Sequence, residues 1–250
     1  MKEIIAVINQ KGGVGKSTTT LSLGKALTLK KQRVLFVDFD PQGNLSYTMQ
    51  AQNSDVTSLE LLIGRVKITK AILRTKIGDI IPSSPSLAVA DSVITDSGKE
   101  YRLKKALSEI QSNYDYIIID TPPALGILTV NALTACTGAI IPAQADIYSL
   151  QGISQLYKTI SAVKEYSNPD LKIMGILLTR HNPRTIVSRD VANMIDKTAK
   201  QLNTKLYKTY VKECIAIKES QIKQTDIFSY AKDSNAASDY RRLAEEILRT

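Results

Sequence analysis

The chain has 250 residues, of which 43% are hydrophobic and 23% charged, with 12 glycines and 8 prolines. That balance excludes a disordered, collagen-like or low-complexity chain, and the length is enough to bury a core without disulfide or metal staples. Charge is the unusual figure: 33 Lys and Arg against 24 Asp and Glu give +9, which points to a polyanionic partner and says nothing about fold.

Short β-branched runs alternate with helical stretches, the pattern of an α/β fold with one doubly wound, mostly parallel sheet and helices on both faces. Strands are expected at Glu3 to Asn9, Arg33 to Asp38, Asp79 to Pro82, Tyr116 to Asp120, Gly138 to Pro142, Ile173 to Thr179 and Lys205 to Thr209. Helices are expected at Lys16 to Leu29, Lys99 to Gln111, Leu125 to Ala135, Gln151 to Tyr166, Thr185 to Leu202 and Ala236 to Leu248. Thr48 to Lys76 is the least regular stretch and reads as surface helices inserted into one domain that spans residues 1–250. The phosphate loop described next begins at residue 10, so no helix-turn-helix domain is expected before it.

Gln10 to Thr18 reads QKGGVGKST between the strand EIIAVIN and a helical pattern. A glycine-rich turn joining a strand to a helix start aims backbone N–H groups at phosphate oxygens. Gly12, Gly13, Val14 and Gly15 curl the backbone, Lys16 reaches the β- and γ-phosphates, and the Ser17 hydroxyl ligates Mg²⁺. Thr18 stands one residue into the helix, within reach of a phosphate nearer the ribose. A dinucleotide fingerprint is the competing reading, because Asp38 ends the next strand, but Lys16, Ser17 and the Thr18 that replaces its third glycine argue against it.

VLFVDFDPQGN places Asp38 at a strand end and Asp40 in the following loop, where open α/β sheets bind ligands. Asn44 follows close by. YIIID ends in Asp120, the position from which a carboxylate holds Mg²⁺ through its water shell. Thr121 to Ala145 carries no charge, but its three prolines, Asn and threonines indicate a buried helix and strand rather than a membrane span. Cys136 and Cys214 form no metal-type pair, so a reducing cytoplasm is expected. His181 is the only histidine and reads as structural or solvated. Lys172 to Lys223 holds eleven basic and four acidic residues and therefore +7 of the +9. Within that window Arg184, Arg189, Lys212, Lys218 and Lys223 are candidates for a surface that tracks DNA phosphates without base readout, against the bland alternative of solvated helix faces.

The loop departs from an ordinary phosphate loop in having Gln10 at its first glycine and a second lysine, Lys11. In this it resembles the deviant loop of the ParA/MinD class of P-loop ATPases, and the chain resembles the Soj-like group of small partition ATPases from its first strand through IIPAQADIYSLQGISQL to DIFSYAKDSNAASDYRRLAEEIL. The resemblance implies ATP and Mg²⁺ as cofactors, with Ser17, Asp40 and Asp120 around the metal, the two carboxylates through water. It implies that Lys11 crosses a two-fold axis to the other subunit's phosphates and that Asp40 orients the attacking water, so Lys11, Lys16 and Asp40 would be catalytic. It further implies an ATP-dependent homodimer, nonspecific binding of double-stranded DNA, a ParB-like partner that stimulates hydrolysis, and a cytoplasmic, nucleoid-associated protein with no membrane contact.

The likeness weakens between Asn182 and Gln224: the family's adenine-contacting positions fall on Lys212 and Cys214, and one DNA-contacting arginine falls on Ala216. The alternative function is a MinD-like membrane-associated positioning ATPase, which ends in a basic amphipathic anchor. Here DYRRLAEEILRT carries Glu245 and Glu246 and reads as a core-packing helix. An iron protein with a cluster across the dimer axis and a sequence-specific repressor are weaker alternatives still.

Overall fold

Alternation of side chains along each strand sends apolar residues to both faces of one sheet, so both faces need cover. The structure, a computed structural model, describes residues 3–249. Its strands are β1 (Glu3–Val7), β2 (Val34–Asp38), β3 (Leu73–Arg74), β4 (Asp79–Ile81), β5 (Tyr116–Asp120), β6 (Gly138–Gln144) and β7 (Lys172–Thr179). They are ordered β3-β4-β2-β5-β1-β6-β7 and all pairs are parallel except β3 with β4. The helices are α1 (Lys16–Leu29), α2 (Asn44–Thr48), α3 (Ser58–Leu62), α4 (Ile68–Ala71), α5 (Ala90–Val93), α6 (Arg102–Ser108), α7 (Ile127–Ala135), α8 (Ile147–Tyr166), α9 (Ile186–Gln201), α10 (Ile215–Ile222), α11 (Ile227–Tyr230) and α12 (Asn235–Leu248).

Ile5, Val7, Phe36 and Ile118 face a core closed by α1, α2, α11 and α12. Ile4, Ala6, Val37 and Ile119 face the opposite core under α3 to α9. On the first side, Gly24 lets α1 lie close to β2: a Cβ there would stand 2.2 Å from the Phe36 ring. α12 adds Tyr240, Leu243 and Ile247, each buried, and each such side chain is worth about 1.5–3 kcal/mol of transfer free energy.

Several expectations change. Lys205 to Thr209 is not a strand; Leu206 makes only an isolated parallel bridge to Ile176. The backbone N–H groups of Lys208 and Thr209 donate instead to the Glu246 carboxylate on α12, at 3.0 and 3.1 Å, so a side chain takes the place of a neighbouring strand. The helix expected over Lys99 to Gln111 is α6 flanked by short 3-10 turns. α8 starts at Ile147 rather than Gln151 because the Asp146 carboxylate caps it, accepting from the Ser149 N–H at 2.9 Å. The stretch from Thr48 to Lys76 is more than surface insertion: Leu59, Leu61, Leu62 and Ile68 are buried in the core. α10 and α11 lie where no helix was expected.

Candidate functional site

β1, β2 and β5 end side by side, and their C-terminal edges carry the loops that form the site. The turn from β1 into α1 uses left-handed backbone at Gly13 (φ 74°) and at the N-cap Gly15 (φ 87°), where a side chain would be strained. Distant elements hold the loop: the Thr179 hydroxyl donates to the Val14 carbonyl at 2.8 Å, and the Gln144 amide donates to the Gly13 carbonyl at 3.3 Å. The Asn9 carboxamide accepts from the Lys11 N–H at 3.0 Å and donates to the Pro142 carbonyl at 2.7 Å.

Lys16 is 7% exposed and its ammonium donates to the Lys11 carbonyl at 3.3 Å. Burial lowers its pKa, opposed by the charges of Asp120 and Asp40. Lys11 turns elsewhere: its ammonium pairs with the Asp146 carboxylate at 2.6 Å, both side chains about a third exposed. Asp146 is held below the usual carboxylate range by the Lys11 and Ser149 hydrogen bonds, which outweigh its partial burial.

Asp38 and Asp120 sit opposite each other across β2 and β5, both fully buried. Asp38 accepts from the Ser46 N–H (2.8 Å), the Ser46 hydroxyl (2.7 Å) and the Asp40 N–H (3.1 Å). Burial still pushes it up to about 6. Its role is to brace the loop that presents Asp40. Asp40 is tied by the Ser83 hydroxyl donating to its carbonyl (2.7 Å) and by the Gln42 N–H donating to its carboxylate (3.0 Å). Neither oxygen of Asp120 has a hydrogen-bond partner of ordinary geometry. Burial first, and Asp38 next, raise its pKa well above normal, while the Ser17 hydroxyl and Lys16 pull it back.

Two orphaned, buried carboxylate oxygens beside a hydroxyl and an ammonium fit a divalent cation with its water shell. Mg²⁺ takes one or two carboxylates and completes its shell with water and substrate phosphates, so Asp120 with the Ser17 hydroxyl beside it is a sufficient protein share of such a site.

Gly12, Gly13, Gly15, Lys16, Ser17, Thr18, Asp40 and Asn44 line a cavity of about 650 Å³, closed on the far side by Pro123, Arg180 and the α10 residues Lys218 and Gln221. Lys11 is not part of this lining. A recess of about 50 Å³ continues past Gly15 and Thr18 to Val211, Lys212, Cys214 and Tyr240. The positions expected to take adenine, Lys212 and Cys214, therefore do reach the cleft. Ala216, the expected place of a DNA arginine, packs half-buried against the core.

The five basic DNA candidates separate. Arg184, before α9, and Arg189, on its first turn, are exposed, as is Lys223 at the end of α10. Lys212 is half-buried on the recess and Lys218 lines both cavities. His181 is buried, stacked edge-on against Tyr210 at 4.9 Å and bonded through Nδ1 to the Ser188 hydroxyl at 2.8 Å. No local pattern marks Asp146, Thr179, Gln221 or Arg180: the first three bond the loop or the helix start behind it, and Arg180 lines its cavity, from more than 100 residues away.

A family model described as an AAA domain matches residues 2–173. The sporulation initiation inhibitor protein Soj of Bacillus subtilis is 40% identical, with 99% of this chain and 98% of that one aligned. The chromosome partitioning protein ParA of Myxococcus xanthus is 35% identical over 98% of this chain and 88% of its own. Among solved structures, a cobyrinic acid a,c-diamide synthase from Mycobacterium smegmatis with bound ATP analog and magnesium superposes with a TM-score of 0.83 at 37% identity, covering 100% of this chain and 95% of that one.

Proposed function

This chain belongs to the AAA-domain family of the Soj and ParA partition ATPases, and from that premise we propose that it segregates DNA by an ATP-timed cycle of dimerisation. It is a P-loop ATPase that uses ATP with Mg²⁺. Lys16 neutralises the β- and γ-phosphates, the loop N–H groups hold their oxygens, and Ser17, Asp120 and Asp40 are the residues that would hold the metal. Bound there, Mg²⁺ supplies charge neutralisation of the phosphates. Asp40, fixed by Ser83 and Gln42, orients the attacking water.

The observation that carries the reading is the placement of Lys11. It stands on the phosphate loop, yet its ammonium is drawn away from its own cavity to Asp146. A lysine so placed serves a second copy's γ-phosphate once the two faces meet, so hydrolysis requires the homodimer. The dimer then binds double-stranded DNA nonspecifically through the exposed Arg184, Arg189 and Lys223, and a ParB-like partner triggers hydrolysis and release. Loss of the γ-phosphate removes the contacts that favour the dimer. The protein is proposed to work in the cytoplasm on the nucleoid. Among the described residues no helix is long and apolar enough to cross a membrane. The MinD-like alternative needs a free amphipathic helix, whereas the apolar face of α12 is already buried against the core.

The deciding experiment is DNA co-sedimentation with ADP and with ATP over a salt series. Binding is expected with ATP only, to weaken steeply with salt, and to vanish in Lys11→Ala. Equal binding in ADP and ATP overturns the timer.

A further inference from the structure

Two cations stand at the waist between the phosphate cavity and the recess. Arg180 and Lys218 each line both. Neither takes part in an ion pair among the described residues. Arg180 follows β7 in a left-handed conformation, φ 49°. A side chain larger than glycine holds such a conformation only where its surroundings determine it. Here they do: the Val211 N–H donates to the Leu178 carbonyl at 2.8 Å and the His181 N–H donates to the Val211 carbonyl at 3.0 Å, pinning the backbone on both sides. One residue earlier, Thr179 bonds the phosphate loop itself.

Across the waist, Lys218 and Gln221 lie three residues apart and so share one face of α10. The Gln221 amide donates to the Thr18 hydroxyl at 3.1 Å. With a lone pair taken, Thr18 keeps its own O–H to donate into the cavity. α10 is moored beyond this point by the Gln224 amide donating to the Tyr47 carbonyl at 3.0 Å and by the Gln50 amide donating to the Gln224 carbonyl at 3.3 Å. The recess beyond the waist holds Glu213 beside Lys212, so the two balance there, whereas Arg180 and Lys218 face the waist with no carboxylate paired to either among the described residues. The positive charge open to an anion is therefore at the waist.

We propose that Arg180, Lys218 and Gln221 form a subsite for the phosphate nearest the ribose, the one ATP and ADP share. Arg180 and Lys218 contact that phosphate directly, and Gln221 is a positioning residue that aims the Thr18 hydroxyl at it. Lys218 then serves the nucleotide and not DNA. The proposal rests on the cleft being the nucleotide site. It separates the wall that grips any nucleotide from Lys11, Lys16 and Asp40, which respond to the γ-phosphate.

The test is nucleotide affinity of the full-length chain, measured by calorimetry with ADP and with ATP, for Lys218→Gln, Arg180→Gln, Lys218→Arg and Gln221→Ala. Loss of either charge is expected to weaken ADP and ATP alike by about tenfold, leaving their ratio unchanged, with KM for ATP rising in proportion and Lys218→Arg restoring most of the loss. Gln221→Ala is expected to weaken both nucleotides less, and to add nothing in a Thr18→Ala background. DNA co-sedimentation of Lys218→Gln at saturating ATP is expected to match the parent. Wild-type ADP affinity in Lys218→Gln overturns the proposal; if DNA binding at saturating ATP falls instead, Lys218 belongs to the DNA surface. Should Arg180→Gln not fold, the Lys218 pair of variants decides alone. Failure of the parent protein to bind DNA would remove the partition reading while the ADP measurements still decide the subsite.

Discussion

On one side of the proposed nucleotide cleft the candidate groups stand on the sheet or just above it: Asp38 and Asp120 end β2 and β5, and Lys16 opens α1 after the loop that follows β1, each 7% exposed or less. On the other side Arg180, Lys218 and Gln221 come from a loop and an eight-residue helix, and the two cations are exposed. Core packing and side-chain hydrogen bonds together hold the first wall, whereas backbone and side-chain hydrogen bonds to distant parts of the chain hold the second. Buried, sheet-mounted groups suit chemistry that tolerates no displacement, whereas a wall moored by a few polar contacts can yield as nucleotide enters and leaves.

The contrast is broken most directly on the rigid side. Asp40→Ala is expected to lower ATP turnover by about two orders of magnitude, the scale of losing an electrostatic or positioning group, in a protein that melts like its parent. Turnover within a fewfold of the parent would remove Asp40 from the mechanism. Ser46→Ala strips Asp38 of one of its three donors inside the core, which costs about 1–3 kcal/mol; a denaturant midpoint that does not move would show that Asp38 does not brace this edge. The yielding side is read more gently through cysteine labelling. Cys214 lines the recess, half-buried, whereas Cys136 is wholly buried with its thiol pushed up to about 12. Alkylation of Cys214 is expected to slow with ADP, and Cys136 to stay inert throughout. An ADP-insensitive Cys214 would place the base elsewhere.

The same division governs what the sequence disclosed. β5 and α1 were read to the residue because their signals are local: an uninterrupted apolar run ending in Asp120, and a glycine loop followed by a helical pattern. For the same reason the sequence already places Lys16, Ser17 and Thr18 on the first turn of α1. Asp146 was not, because its meeting with Lys11 depends on β6 lying next to β1, a fact of topology. α10 was missed because Cys214 makes no side-chain cap and the short run Ile-Ala-Ile-Lys-Glu-Ser-Gln-Ile has little periodicity. The basic window reads as one surface from its composition, yet the fold sets Lys212 and the exposed Lys218 along the cleft and leaves Arg184, Arg189 and Lys223 away from it. Charge is countable in a sequence, but its direction is set by packing.

The adjacency of Asp38 and Asp120 makes occupancy of the cleft a proton-linked event. With Asp38 raised to about 6 and Asp120 raised as well, the folded protein retains protons that the unfolded chain gives up near pH 4. The stability that Asp38 contributes is therefore greatest below that point and is lost as pH rises through about 6, and the raised Asp120 acts in the same direction. Mg²⁺ favours ionised carboxylates, so if Asp120 faces the metal as proposed, loading the site displaces whatever proton Asp120 holds, and affinity for the metal–nucleotide complex is expected to rise with pH. Calorimetry in buffers of differing ionisation enthalpy is expected to record that release, as acid given off on loading and taken up again on unloading; a binding heat that does not change with the buffer would show that no proton leaves.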